Sequence, residues 1–250
     1  MYDLETYQAL QAGDFELHYL PTVRLADRRC VGAEALLRWK RDGTWVPPME
    51  FIPNTERTPL AGLITYWVID TVGAELKQWL QVHPGAHVSI NIPPDVLGRG
   101  GIEYAMNKAG LHDVRNQIVF EVTERGVPDA QGLLALDHMA KGGVRIALDD
   151  VHLAGANLAL LSRCHFELLK IDNELVQALQ PQAPAPAWLP GLRAILAATS
   201  VQVVAEGVEN EHQHAALMEA GIVMAQGHLY CAALPAAQFI DYFAANGAMA

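Results

Sequence analysis

Seven apolar runs in this chain close on a polar or ionisable side chain, and no other feature constrains the fold as much. Glu34 lies within VGAEALLRW, Asn91 closes HVSIN, and Glu121 with Glu124 closes IVFEVTE. Asp149 and Asp150 close VRIALDD, Lys170 and Asp172 lie in LLKID, Glu206 and Glu209 close VQVVAEGVE, and Gln226 follows IVMA. Parallel strands of one closed barrel would deliver all these groups to a single rim, the end at which such barrels place their chemistry.

Eight β-like segments can be marked: Glu16–Leu20, Cys30–Leu37, His87–Ile92, Ile118–Val122, Arg145–Leu148, Leu168–Ile171, Gln202–Ala205 and Ile222–Ala225. Most are rich in Val, Ile and Leu without clean alternation, as expected of strands covered on both faces. Helical periodicity fills the gaps, over Leu4–Gln11, Leu60–Leu80, Pro94–Ala109, Ala130–Lys141, Ala154–Leu161, Trp188–Thr199, Glu211–Ala220 and Ala236–Ala244. In the long second segment, Leu63, Trp67, Ile69, Val72, Leu76 and Leu80 fall mostly on one face. Strand then helix, repeated, predicts an α/β fold, a (β/α)8 TIM-like barrel rather than an open sheet. The first two segments are joined by only about nine residues, too few for a helical crossover, so the barrel is expected to have an antiparallel first strand.

The 250 residues suit one such barrel, so a single domain over 1–250 is expected, with PQAPAPAWLP at 181–190 as a surface loop. The net charge is −11 and no Lys/Arg-rich stripe occurs, which argues against duplex nucleic acid as a partner. Cys30, Cys164 and Cys231 are scattered and form no zinc-type pattern, which fits a reducing cytoplasm. No apolar run reaches the roughly 18 residues a membrane span needs, so no membrane segment is expected in this chain. The opening MYDLETYQALQAG lacks a signal-type apolar core.

Oxygen ligands without cysteine or clustered histidine point to Mg2+, Mn2+ or Ca2+ rather than zinc. Adjacent aspartates can split between two cations, the usual clamp for in-line phosphoryl displacement. Lys170 suits a phosphate charge or an attacking water, and Glu206 suits that water's proton. Plainer readings exist. Glu34 can pair with Arg38 four residues on, Lys170 can pair with Glu121 or Asp149, and Asp149–Asp150 can be an ordinary turn. His152 and His228 read as loop or packing residues, and Trp39 and Trp45 as a border for a base-stacking pocket.

The chain resembles the EAL-domain family of cyclic di-GMP phosphodiesterases from end to end. Glu34-Ala35-Leu36 stands within EALLRW, and FELHYLP, FIP at 51–53, EVTE at 121–124, DD at 149–150, LKID at 169–172, AEGVE at 205–209 and QG at 226–227 follow the family order. The resemblance implies hydrolysis of cyclic di-GMP to linear pGpG with Mg2+ or Mn2+, two ions, Ca2+ being inhibitory. It implies Glu34, Asn91, Glu121 and Asp149 as metal ligands, with Asp150 on the second ion. Lys170 resembles the water-orienting lysine, Glu206 the general base or second-metal partner, and Gln226 a water- or substrate-contacting glutamine. By the same likeness Arg38 approaches a substrate phosphate, Leu36 lies in the substrate site, and Glu124 steadies a loop. A homodimer and a fused or separate sensor or regulatory partner are implied as well.

Departures accompany the match. Leu20-Pro21 stands where the family usually has Gln-Pro, and DDVHLAGANL replaces a loop that reads about DDFGTGYSSL. His228 stands in place of a usual Tyr, and Pro59 in place of a common Gly. The ligand set is whole while part of the substrate cradle is altered. Three readings therefore stay open: a phosphodiesterase with reduced activity, a receptor that binds cyclic di-GMP without turnover, and a protein-interaction module.

Overall fold

The computed structural model describes residues 2–123, 128–149, 166–181 and 186–248. Glu124, Asp150, most of the altered loop and the helix expected over Ala154–Leu161 lie outside the described residues. After helix α1 (Tyr2–Ala12) come β1 (Phe15–Arg24), β2 (Cys30–Arg41), β3 (Thr44–Val46), α2 (Pro48–Thr55) and α3 (Pro59–Val82). Then follow β4 (His87–Ile92), α4 (Gly101–Lys108), β5 (Ile118–Val122), α5 (Ala130–Lys141), β6 (Arg145–Leu148), β7 (Leu168–Ile171) and α6 (Asn173–Gln177). The chain continues through α7 (Trp188–Ala198), β8 (Gln202–Ala205), α8 (Glu211–Glu219), β9 (Met224–Ala225), β10 (Leu234–Pro235) and α9 (Ala236–Asn246).

Strands β2 and β4 to β9 pair in parallel in chain order, and β1 closes the ring, antiparallel to both β2 and β9. The result is the eight-stranded α/β barrel with an antiparallel first strand that the sequence predicts. Short helical turns and a hairpin depart from expectation, each for a local reason. Asp42 and Gly43 both have positive φ (51° and 80°), the backbone of a tight hairpin turn, so β2 folds back on β3. Pro48 starts α2, where its missing N–H costs nothing. The helix expected over Pro94–Ala109 splits into a 3-10 turn at Pro94–Val96 and α4, because Gly98 and Gly100 between them adopt left-handed φ of 74° and 77°. Leu63 on α3 is 43% exposed, so the buried stripe of that helix runs instead through Ile69, Val72, Leu76 and Leu80.

The barrel buries its strands between two unequal cores. Outward-facing residues such as Leu17, Tyr19, Ile90 and Phe120 join α3 and α9 in the large core, where Trp79 meets Phe239 and Phe243 edge-on. Each fully buried apolar side chain there contributes about 1.5–3 kcal/mol. Inside the barrel a small separate cluster holds Val119, Ala147, Leu168, Val204 and Met224. Successive strand residues alternate faces, so the residues two positions on also point inward. Those residues are Glu121, Asp149, Lys170, Glu206 and Gln226. An apolar floor thus lies directly beneath a polar layer.

His87 is buried beside Gly32, its register partner on β2. A Cβ on Gly32 would stand 2.5 Å from the His87 carbonyl oxygen and 2.7 Å from its ring, so only glycine fits. Burial, reinforced by the nearby Arg145 charge, lowers the His87 pKa to about 3. An unfolded histidine takes up its proton near pH 6.5. Between about pH 6.5 and 3 the unfolded chain therefore binds the extra proton, and stability falls as pH falls. Urea unfolding from pH 7 to 5 should show a shallower loss for His87→Gln than for the unaltered chain; equal slopes would remove His87 as a contributor.

Candidate functional site

The polar layer converges on one ammonium. Lys170 Nζ donates to Glu34 Oε2 at 3.0 Å and to Glu121 Oε2 at 2.7 Å. It also forms ion pairs with Asp149 Oδ1 at 3.3 Å and Glu206 Oε1 at 2.5 Å. Asn91 Nδ2 donates to the other Glu34 oxygen at 2.8 Å. Strand register explains the convergence: Asn91 lies beside Glu121, while Lys170 pairs with Val204, two residues before Glu206. Of the alternatives for Glu34, the partners it takes are Lys170 and Asn91, while the Arg38 guanidinium donates to the Leu37 carbonyl.

Four carboxylates around one cation cannot all ionise cheaply in a buried site. Burial works against ionised Glu34, but the Lys170 charge and the hydrogen bonds from Asn91 and Lys170 outweigh it, leaving its pKa below the usual range. Burial and the adjacent Glu34 charge push Glu121 well above it. Glu206 rises to about 8, through burial first and then through repulsion from Glu34 and Asp149, against the pull of Lys170. Burial opposes the Lys170 charge, yet Asp149, Glu121, Glu206 and Glu34 together hold that ammonium well above its normal pKa.

Beside this cluster a cleft of ≈ 210 Å³ opens among Leu36, Arg38, Ile52, Ile64, Asn91 and Asp149. Its far wall comes from α2 and α3, so residues 48–56 contribute although no helix was expected there. The paired prolines Pro47-Pro48 were the available signal. Neither tryptophan borders this cleft. Trp39 is buried against Phe15 and Phe51 on the outward face, and Trp45 stands 45% exposed against His18. Leu20, half-buried, is the register partner of Glu34 and shares its face.

Gln226 sits in the polar layer but its Nε2 donates to Thr22 Oγ1 at 2.9 Å. Thr22 was absent from the sequence-derived set, since a threonine in an apolar strand carries no signal until its neighbour across the barrel is known. Gly227 has φ of 152°, and a Cβ there would meet the Val208 backbone at 2.2 Å, so the turn after Gln226 needs glycine. Asp172 and Glu209 leave the cluster. Asp172 caps α6 by accepting from Leu175 N, and Glu209 is exposed at the approach to α8. His228 is exposed.

Among the described residues no three acidic, imidazole or thiol side chains are arranged to grip one ion between them. Here the Lys170 ammonium stands at the centre they surround. The donor chemistry nonetheless suits a hard divalent cation. All candidates are oxygen donors, and four acids surround the one ammonium, so negative charge exceeds positive.

A family model described as EAL domain matches residues 4–233. The chain is 34% identical over 238 residues to the probable cyclic di-GMP phosphodiesterase PdeB of Escherichia coli (strain K12), covering 94% of this chain and 45% of that protein. It is 29% identical to the cyclic di-GMP phosphodiesterase RocR of Pseudomonas aeruginosa, covering 95% of this chain and 62% of that protein. The chain thus spans less than two thirds of either relative. Its fold superposes on the PaMucR phosphodiesterase in complex with c-di-GMP with a TM-score of 0.84 at 29% identity, covering 95% of this chain and 99% of that one. The EAL enzyme Bd1971 in its cAMP- and cyclic-di-GMP-bound form gives 0.84 at 26% identity, covering 96% and 68%. No helix among the described residues is long and apolar enough to cross a membrane.

Glu206, with its pKa raised from 4.5 to about 8, keeps a proton that the unfolded chain has released. In metal-free buffer this contribution makes stability fall as pH rises from about 5 to 8. Glu206→Gln should therefore gain on the unaltered chain as pH rises over that window in urea unfolding with chelator. A stability difference that stays flat with pH would show that Glu206 titrates normally.

Proposed function

We propose that this chain, which belongs to the EAL-domain family, hydrolyses one phosphodiester of cyclic di-GMP to give linear pGpG. The observation that carries the reading is the convergence of Glu34, Glu121, Asp149 and Glu206 on Lys170 beside a cleft lined by Leu36 and Arg38. Glu34, Asn91, Glu121 and Asp149 would hold one Mg2+ or Mn2+, and Asp150 would reach a second, with Ca2+ as an inhibitory substitute. When bound, such ions supply Lewis acidity and offset the charge of the phosphodiester.

The chain's own groups divide the remaining work. Glu206, with a pKa near neutrality, takes the proton of the attacking water. The water oxygen bonds to phosphorus, the bond from phosphorus to the ribose 3′ oxygen breaks, and that oxygen takes a proton from solvent. Lys170 stays charged among the carboxylates and orients the water or the phosphoryl oxygens. Arg38 faces the phosphate from the cleft, Leu36 contacts the nucleotide through carbon, and Gln226 offers an amide to the water or the substrate. By the family resemblance, Glu124 would steady a loop. A homodimer and a sensor or regulatory partner complete the reading.

One observation favours a second reading, a receptor that binds without turnover. Leu20, the register partner of Glu34, offers only carbon at the mouth.

Chromatography of the nucleotide product decides between them. Mg2+ or Mn2+ should yield pGpG, Ca2+ should suppress it, and Glu34→Ala should lower the rate by about 100-fold or more. Binding by calorimetry with no metal-dependent product at high protein concentration would establish the receptor instead. Cation binding at pH 7 should also release about one proton or more, because Glu121 must ionise to ligate and the added positive charge favours ionised Glu206 beside it. Calorimetry in two buffers of different ionisation enthalpy measures that release, and identical heats would contradict it.

A further inference from the structure

One buried oxygen in the barrel mouth, Oε1 of Gln226, lacks a hydrogen-bond partner, while Oε1 of Glu206 lies 2.5 Å from the Lys170 ammonium. Glu206 and Gln226 belong to neighbouring strands at matching levels, since Ala205 and Ala225 are register partners. Native proteins keep an unpartnered buried acceptor chiefly where water or a ligand completes it. The backbone of Gln226 is already fixed. Its N–H donates to the Ala205 carbonyl at 2.8 Å, its carbonyl accepts from Val208 N at 3.0 Å, and the following glycine packs against Val208. Only the side-chain torsions remain, and the contact that sets them is the one to Thr22 Oγ1.

Thr22 and Gln226 are each 1% exposed, so this contact is shielded from bulk solvent. A hydroxyl both donates and accepts, so Thr22 holds whichever amide end is turned to it and leaves the opposite end without a protein partner. Thr22 lies on β1 two residues from Leu20, on the same face. The antiparallel strand thus keeps a polar contact to the mouth although Leu20 supplies none. Its hydroxyl reaches the site through Gln226 rather than through substrate.

We infer that Thr22 is a positioning residue for hydrolysis: it fixes the Gln226 amide so that the free end, together with Glu206, receives the attacking water. This rests on the phosphodiesterase reading. Preorganised partners of this kind act on the bound state more than on substrate capture.

Thr22→Val removes the hydroxyl at nearly constant shape, and Thr22→Ser keeps it. The expectation is a kcat about tenfold lower in Thr22→Val with KM within about twofold, and a Thr22→Ser rate within about threefold of the unaltered chain. In a Gln226→Ala background, Thr22→Val should have no further effect. An equal loss in both backgrounds, or a serine variant no better than valine, would overturn the assignment.

A second measurement does not depend on turnover. The side-chain amide resonances of Gln226, identified by their disappearance in Gln226→Ala, should shift in Thr22→Val and return near their original positions in Thr22→Ser. Resonances unmoved by Thr22→Val would refute the contact. If the unaltered chain releases no product while these resonances respond as expected, the phosphodiesterase reading fails and the positioning of Gln226 by Thr22 is upheld.

Discussion

A single buried ammonium organises this molecule. Lys170 cannot be buried without anions, and Glu34, Glu121, Asp149 and Glu206 cannot share one mouth without a cation between them. Each side of that arrangement would be strongly unfavourable alone. Together they form a network in which one positive charge meets four acids, and the surplus negative charge is met by protons held on Glu121 and Glu206. On the proposed reading, those protons would be exchanged for a divalent cation. The same imbalance that perturbs its titration is what suits it to phosphate chemistry.

The barrel makes that imbalance tolerable. Its eight barrel strands pair around a closed ring, and the floor of Val119, Ala147, Leu168, Val204 and Met224 lies immediately below the charges. One further step along each strand, in the same inward direction, turns dry packing into chemistry. At the closed end His87, buried over Gly32 and held neutral, fills space that a charged group could not occupy. The cleft beside the cluster is not a product of the barrel alone. It arises where the β2–β3 hairpin, α2 and the first turns of α3 stand beside the rim, bringing Ile52 and Ile64 opposite Arg38 and Asn91.

The antiparallel strand has a distinct part in the design. A parallel strand reaches the mouth only with its last residues, whereas β1 crosses the mouth lengthwise and sets Leu20 beside Glu34 and Thr22 beside Gln226. Two neighbouring inward positions on one strand therefore influence opposite sides of the site. Replacing a polar group at one of them leaves the other in place, so changes along this strand can alter substrate contact without disturbing the carboxylate cluster.

Much of this was legible in the chain itself. Apolar runs ending in Glu, Asn, Asp and Lys at barrel-like intervals determine the fold class and bring Glu34, Asn91, Glu121, Asp149, Lys170, Glu206 and Gln226 to one rim, because rim position follows from strand order. The Asp42-Gly43 turn and the Pro47-Pro48 helix start are also written locally. Other features depend on distance across the barrel. That Lys170 would join all four carboxylates, that Asp172 would cap a helix instead, that Trp39 would face away from the cleft, and that Thr22 would meet Gln226 across 204 positions are set by register, shear and closure. A sequence records which side chains point inward on each strand. Only the closed sheet decides how high each one stands relative to its neighbours, and charge pairing at 3 Å is governed by that height.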